Sequence, residues 1–256
     1  VEPFDIEELS LNAWPALGTV LYDGWLLRFS SGYSRRANCV NALYPAAGGQ
    51  AAGPGLREKV DRCERLYSRR KLPTIFKIVE TAEHEGLEAE LAGRGYGREY
   101  DTAVRTVDLG GFAAEGDGRT RALDGFDEEW IAGFIECAKP APEHRGILRS
   151  ILGAIGPSVI AARATDEDGR VVACAFGALE RGWLGVFDVM VREDRRGEGL
   201  GRSVVTALLQ AAKSRGARSS YLQVIRGNSV AEKLYESLGY REHYGYHYRK
   251  RALSAD

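Results

Sequence analysis

"RRGEGLGRSVVTALLQAA", residues 195–212, sets three glycines between arginines and directly before an apolar helix-forming run. Val204, Val205, Leu208, Leu209 and Ala212 fall on one helical stripe, which stops near Gly216. The first backbone amides of a helix have no intrahelical acceptor, and the helix dipole adds positive charge there. Glycines before such a helix let an anion approach the backbone, so the stretch reads as a phosphate-binding turn. Gly197, Gly199 and Gly201 clear the approach, and Arg195, Arg196 and Arg202 add charge where the anion would lie. Two common phosphate motifs do not fit. The P-loop interval and its lysine are missing, and the evenly spaced glycines do not match the dinucleotide fingerprint.

The surroundings give an α/β order. Upstream, "DEEWIAGFIECA" and "PEHRGILRSILGAI" carry helical spacing, and "SVIAARAT", "VVACAFGAL" and "GWLGVFDVMV" read as strands broken by "DEDGR" and "ERG". Downstream come the strand "SSYLQVI", the helix "NSVAEKLYESLGY" with Asn228 as N-cap and Gly239 as stop, and the alternating strand "REHYGYHYRK". The N-terminal half repeats this succession. "ANCVNALYP" is a strand, "AAGGQAAGPGL" a glycine-rich loop, "REKVDRCERLYSRR" a helix, "TIFKIVE" a strand, "GLEAELAGRGY" a helix and "GREYDTAVRTVDL" a strand. "GYGREY" and "GYREHY" close the two halves alike, which points to duplication of one α/β unit. The glycine-rich "GGFAAEGDGRTRALDG" between them reads as a connector. The expected organisation is a unit over 1–112, a linker over 113–125 and a second unit over 126–256.

Composition narrows the partners. The 256 residues carry 35 basic and 36 acidic side chains, so no overall field favours nucleic acid or a membrane surface. No apolar segment reaches the roughly 18 residues of a membrane span, and "VEPFDIEELS" is acidic where a signal peptide would be basic and then apolar. A cytoplasmic protein with a small-molecule partner is the expectation. The chain opens on Val1 and not Met, and the expectation is a start inside a longer product or after a removed segment. Cys39, Cys63, Cys137 and Cys174 are too scattered for a metal motif and read as buried thiols.

The motif R-x-x-G-x-G, written Arg196, Gly199 and Gly201 after "FDVMV", together with "NSVAEKLYESLGY", resembles the GNAT superfamily of acetyl-CoA-dependent N-acetyltransferases. The resemblance covers about residues 127–250. It implies two GNAT-like units, each a mixed, mostly antiparallel β-sheet flanked by helices. It also implies that Arg196, Gly197, Glu198, Gly199, Leu200, Gly201 and Arg202 hold the pyrophosphate of coenzyme A. By the same resemblance Val189, Met190 and Val191 pair with the pantetheine arm, Asn228 contacts that arm, and Tyr235 is the acid that reprotonates the departing thiolate. A phenol can serve there because it donates a proton or hydrogen bond to developing thiolate charge. Without the family position, Tyr235 would read as a core aromatic and Asn228 as a helix cap alone.

An attacking amine must be neutral, so a general base or a solvent-linked proton path is expected. Asp188, a charge inside an otherwise apolar strand, is the first candidate, with a solvent-facing or arginine-paired carboxylate as the alternative; Glu180 at the preceding turn is weaker. His243 and His247 share one face of the last strand, opposite Tyr244, Tyr246 and Tyr248, and two histidines so spaced match no metal motif, so no metal is expected. The loop "AAGGQAAGPGL" lacks the arginine-led motif, which predicts a first unit that does not bind CoA and supports the acceptor site. There Trp25, Arg28, Tyr33, Arg36 and Asn38 are candidates for a polar or acidic acceptor; alternatively Trp25, Leu27 and Phe29 are one packed strand face, and Arg35 and Arg36 a basic turn. The expected activity is acetyl transfer from acetyl-CoA to a primary amine of a small molecule, by a monomer or homodimer. A protein lysine or N-terminal acetyltransferase and a non-catalytic acyl-CoA sensor are the alternatives.

Overall fold

A computed structural model describes residues 1–44, 55–116 and 118–252. The chain divides into two compact units, one of residues Val1–Ala103 with Tyr244–Asp256 and one of Val104–His243. Among the described residues no helix is long and apolar enough to cross a membrane.

The first unit opens on α1 (Pro3–Ala13), where the sequence reading assigned no helix. Proline at its start fixes a helical φ, and the Asp5 side chain accepts from the Glu2 amide at 3.0 Å. There follow β1 (Gly18–Tyr22), β2 (Trp25–Phe29), β3 (Val40–Asn41), α2 (Leu56–Ser68), β4 (Thr74–Val79), α3 (Glu85–Gly93) and β5 (Gly97–Asp108), whose residues from Val104 on belong to the second unit. Most of the glycine-rich stretch over 46–56 lies outside the described residues. β3 pairs parallel with β4 across α2, and β2 is antiparallel to both β1 and β3. Trp25, Leu27 and Phe29 do form one packed face, in a core with Val60, Tyr67 and Phe76.

The second unit runs through β6 (Thr120–Asp124), α4 (Glu128–Ala138), α5 (Arg145–Gly153), β7 (Ser158–Thr165), β8 (Val171–Glu180), β9 (Trp183–Val191), α6 (Leu200–Ser214), β10 (Ser219–Ile225) and α7 (Ser229–Ser237). Its strands β10-β9-β8-β7-β6 lie in that order; β9 and β10, which flank α6, pair parallel, whereas β6–β7, β7–β8 and β8–β9 pair antiparallel. The five apolar residues of the α6 stripe are fully buried, as the spacing predicts. Trp130, Phe176, Phe187 and Tyr221 meet in sequence, with ring centroids 5.4–6.2 Å apart.

Two expected boundaries move. Residues 120–124, read as part of a linker over 113–125, form β6, an edge strand antiparallel to β7 from Thr120↔Ala164 to Asp124↔Ile160. The last strand, β11 (Arg241–Arg251), does not stay wholly with the second unit, because its rungs from Tyr246↔Val79 to Arg251↔Thr74 are made with β4. In each case the hydrogen-bonding partner, remote in sequence, decides where the strand belongs.

Candidate functional site

β9 carries the first irregularity. On β8 the register passes from Cys174↔Met190 to Phe176↔Phe187, so β9 contains one more residue than the strand it faces. Asp188 sits in this bulge with φ +48°, a left-handed conformation that aspartate tolerates better than most side chains. On the other side the parallel ladder ends at Leu222↔Val186, although β9 continues to Val191 and β10 to Ile225. Residues 187–191 and 223–225 therefore lie beyond the last rung, and Val189, Met190 and Val191 are half-buried. Gly185, just before the opening, is crossed by the Tyr221 ring: a Cβ there would stand 2.5 Å from Tyr221 Cζ.

After β9 the backbone turns through Glu193–Arg195 into the glycine loop. Gly197 has φ +86° with nothing within 4 Å of a would-be Cβ, so its backbone conformation, not crowding, favours glycine. Gly199, at φ +78°, is the residue from which α6 starts. Gly201 serves close packing, since a Cβ would lie 3.1 Å from Leu234 Cδ1 and 3.7 Å from Val191 Cγ2. That contact draws the end of β9, the start of α6 and α7 together.

The arginines divide differently from the expectation. Arg196 is exposed at the loop. Arg195 pairs with Glu198 at 2.7 Å, and this pairing holds the Glu198 carboxyl below its ordinary range. Arg202, expected beside the anion, leaves α6 toward α7 and donates to the carbonyl and hydroxyl oxygens of Ser237. A cation the sequence reading did not single out, Arg119, donates to the Glu198 carbonyl at 3.0 Å and lies against Gly199. Only its position before β6, far along the chain from the loop, hid it.

α7 brings in the remaining candidates. Asn228 caps it, its Oδ1 accepting from the Ala231 amide at 3.3 Å, while the residue itself stays exposed. Tyr235 is 8 % exposed, with its ring edge-on to Tyr240 at 6.0 Å. Burial first, and the charge of Asp188 second, push its phenol up to about 12. The two residues named as base and acid are thus within electrostatic reach of each other, at the place where β9 leaves β10. Asp188 is half-buried, and its Oδ2 is shut off from solvent. The buried Arg105, also missed in the sequence, holds α7 by donating to Glu236 Oε1 at 3.0 Å, with Glu232 Oε1 at 3.9 Å. Tyr240 and Ser220 share a 2.6 Å hydrogen bond, and Ser220 donates on to the Leu184 carbonyl of β9.

Three acceptor candidates of the first unit are instead structural. Trp25 belongs to the core. Arg28, 3 % exposed, donates to the carbonyls of Arg36, Leu11 and Trp14. Asn38 accepts from the amides of Ser30 and Gly32 and donates to the Ser34 carbonyl. Arg36 stacks on Trp14 at 4.4 Å, and Tyr33 lines a small cavity with Arg35 and Lys250. Glu180 lies at the β8–β9 turn, 3.8 Å from Arg181.

The whole arrangement has counterparts among known proteins. The model of a family described as probable histone acetyltransferase Rv0428c C-terminal matches residues 4–249. The uncharacterized N-acetyltransferase YobR of Bacillus subtilis (strain 168) is 27% identical over 250 residues, covering 95% of this chain and 96% of that protein. A GCN5-related N-acetyltransferase from Kribbella flavida superposes with a TM-score of 0.68 at 17% identity, over 98% of this chain and 96% of its own. A tandem GNAT protein from the clavulanic acid biosynthesis pathway gives the same TM-score at 16% identity, over 85% of this chain and 76% of its own. With bulge, opened parallel pair and glycine loop all in unit two and the family model running nearly end to end, the chain belongs to that family and to the GNAT acetyltransferases.

Proposed function

We propose that this chain moves the acetyl group of acetyl-CoA to the primary amine of a small molecule by direct attack. One observation carries the reading: Asp188 stands in the β9 bulge where the β9–β10 pair opens, on the strand that runs into the α6 glycine turn.

The residues present fit the donor. Open space stands where a Gly197 Cβ would be, and Gly199 is left-handed, so an anion can reach the first amides of α6 at Leu200, Gly201 and Arg202. Arg196 and Arg119 bring positive charge to that turn. Val189, Met190 and Val191 offer the backbone edge beyond the last rung to the amide-bearing arm. The Asn228 side chain, capping through its oxygen, keeps its NH₂ for the same arm. Acetyl-CoA supplies a thioester carbonyl for the amine and a thiolate leaving group. Asp188 would take one proton from the acceptor ammonium; the freed amine would attack the thioester carbonyl, the C–S bond breaking as the N–C bond forms, and the second nitrogen proton would pass to solvent while Tyr235 donates a hydrogen bond to the sulfur, which leaves as thiolate and is protonated in turn. The reading is direct attack with no acyl-enzyme; its hydrogen bond with Cys137 and its burial push the Cys174 thiol up and make it a poor nucleophile.

A protein lysine also presents a primary amine, and the family description favours that second reading. The test follows thiol release from acetyl-CoA with an aromatic disulfide reagent, across small amines, amino acids, aminoglycosides and lysine peptides. Release with small amines sustains the proposal, and release with peptides alone replaces it by the second reading. Tight acetyl-CoA binding without turnover on any acceptor would make the chain a sensor.

A further inference from the structure

A separate cluster lies in the first unit, where β11 runs between β4 and the Gly97–Ala103 part of β5. His247 pairs with Ile78, and the Glu80 amide donates to the Gly245 carbonyl at 2.8 Å. Sides alternate along a strand, so His247 shares its face with Ile78 and with the residue two further on, Glu80. One ring nitrogen of His247 and one carboxylate oxygen each of Glu80 and Asp101 lie within 4.8 Å of one another.

The imidazole is held for a task. His247 is 2 % exposed; its Nε2 lies 3.0 Å from Glu88 Oε2, and Arg249 Nε donates to both oxygens of that carboxylate. With Nε2–H donated to Glu88, the lone pair is left on Nδ1, an atom that is buried and has no hydrogen-bond partner. A carboxylate behind an imidazole whose other nitrogen is available is the arrangement that orients metal-bound histidines.

We propose that His247, Glu80 and Asp101 form a site for a divalent transition-metal ion of the zinc class. One imidazole and two carboxylates suit such an ion, with a fourth position for water. Ligands at zinc distances in tetrahedral geometry stand about 3.4 Å apart. Glu80 is exposed and Asp101 half-buried, so rotation of their side chains closes the difference from 4.8 Å. Arg98 already bridges the two carboxylates, with Nε 2.7 Å from Asp101 Oδ1 and NH2 3.2 Å from Glu80 Oε1. Binding therefore requires the guanidinium to swing away, and the bound ion ties the end of β4, β5 and β11 together. The sequence reading expected no metal because it weighed only the spacing of His243 and His247; Glu80 and Asp101 lie far from His247 along the chain.

The experiment is calorimetric titration of the chelator-treated full chain with Zn²⁺, repeated with Co²⁺ for its visible absorption, alongside thermal melts. One ion per chain at micromolar concentration is expected, with a raised melting temperature. Glu88→Gln, which removes the outer carboxylate, weakens binding about 10–100-fold, and Glu80→Gln, Asp101→Asn and His247→Gln weaken it at least as much. Arg98→Gln removes the competing cation and tightens it. The two acid variants change surface-reaching side chains and decide the matter even where His247→Gln fails to fold. No uptake at submillimolar Zn²⁺ overturns the site, as does uptake that survives both acid variants or is lost with Cys137→Ser.

Discussion

Replacing Tyr235 with Phe tests the chemistry most sharply, because the structure sets the size of the effect. The phenol is pushed up to about 12, whereas an ordinary thiol ionises near about 8.5. Complete proton transfer from Tyr235 to a thiolate is therefore uphill by about 3.5 units, or about 5 kcal/mol. What the hydroxyl can supply is a hydrogen bond to an atom gaining charge, worth about 1.5–3 kcal/mol. At about 1.4 kcal/mol per decade, Tyr235→Phe should lower kcat by about 10- to 150-fold. The Michaelis constant for acetyl-CoA should hardly move, nor should the melting temperature, since the ring stays packed on Tyr240. Because only about one phenol in 10⁴ is ionised at pH 8, Tyr235 gives the wild-type pH profile no alkaline limb below about pH 11. Thiol release measured across pH for both proteins reads all of this. A loss below threefold would mean that the hydroxyl does not meet the reacting atoms. A loss beyond about 10³, or an alkaline limb below pH 10 that vanishes in the variant, would show full proton transfer from a far more acidic phenol.

Three further outcomes follow from named contacts. Asp188→Asn should remove the Coulombic part of the rise at Tyr235, so that tyrosinate absorbance appears at lower pH than in the wild type, while acetyl transfer falls; an unchanged titration would separate the two residues. Gly199→Ala forces a Cβ onto φ +78°, which costs about 1–2 kcal/mol and lowers the melting temperature by about 2–8 °C, with the acetyl-CoA Michaelis constant rising and kcat nearly kept. In the first unit, Glu7→Gln strands Lys77, now 2.5 Å from Glu7 Oε2 and over the Tyr246 ring; calorimetry should find about 3–5 kcal/mol of stability lost, a fall of about 6–20 °C.

How much of this could be read beforehand depended on whether the cause was local. The α6 stripe, the glycines before it and the Asn228 cap are set by residues within a turn or two, and they stand where their spacing puts them. Asp188 stood out as a charge inside an apolar run, but the bulge that holds it had no signal, since it is set by the register with β8. Arg105 and Arg119 had no such signal, because nothing near them in sequence distinguishes a clamp or a loop cation from an ordinary surface arginine. The same ambiguity misled the reading of Arg28 and Asn38, polar side chains buried against backbone carbonyls and amides. β6 was hidden by the glycines around it, and the division of β11 by a pairing with β4 that no short window contains.

The closeness of Asp188 and Tyr235 has a consequence for the order of events. A negative charge beside a phenol raises the phenol's pKa and so favours its protonated form, the form an acid needs before it acts. Here the ionised Asp188 helps keep the phenol protonated. In the proposed mechanism, once Asp188 accepts the proton of the incoming ammonium, its charge is gone and so is its share of the rise at Tyr235. The phenol then becomes a stronger acid and a stronger hydrogen-bond donor after the base has acted, when negative charge is collecting on sulfur. Burial remains the larger cause and is untouched by that proton, so the gain is partial. Asp188→Asn imitates the protonated state permanently: its Tyr235 should be the better acid and its acceptor amine the worse nucleophile. A variant that recovers activity with rising pH, as solvent takes over deprotonation of the amine, would separate those two contributions.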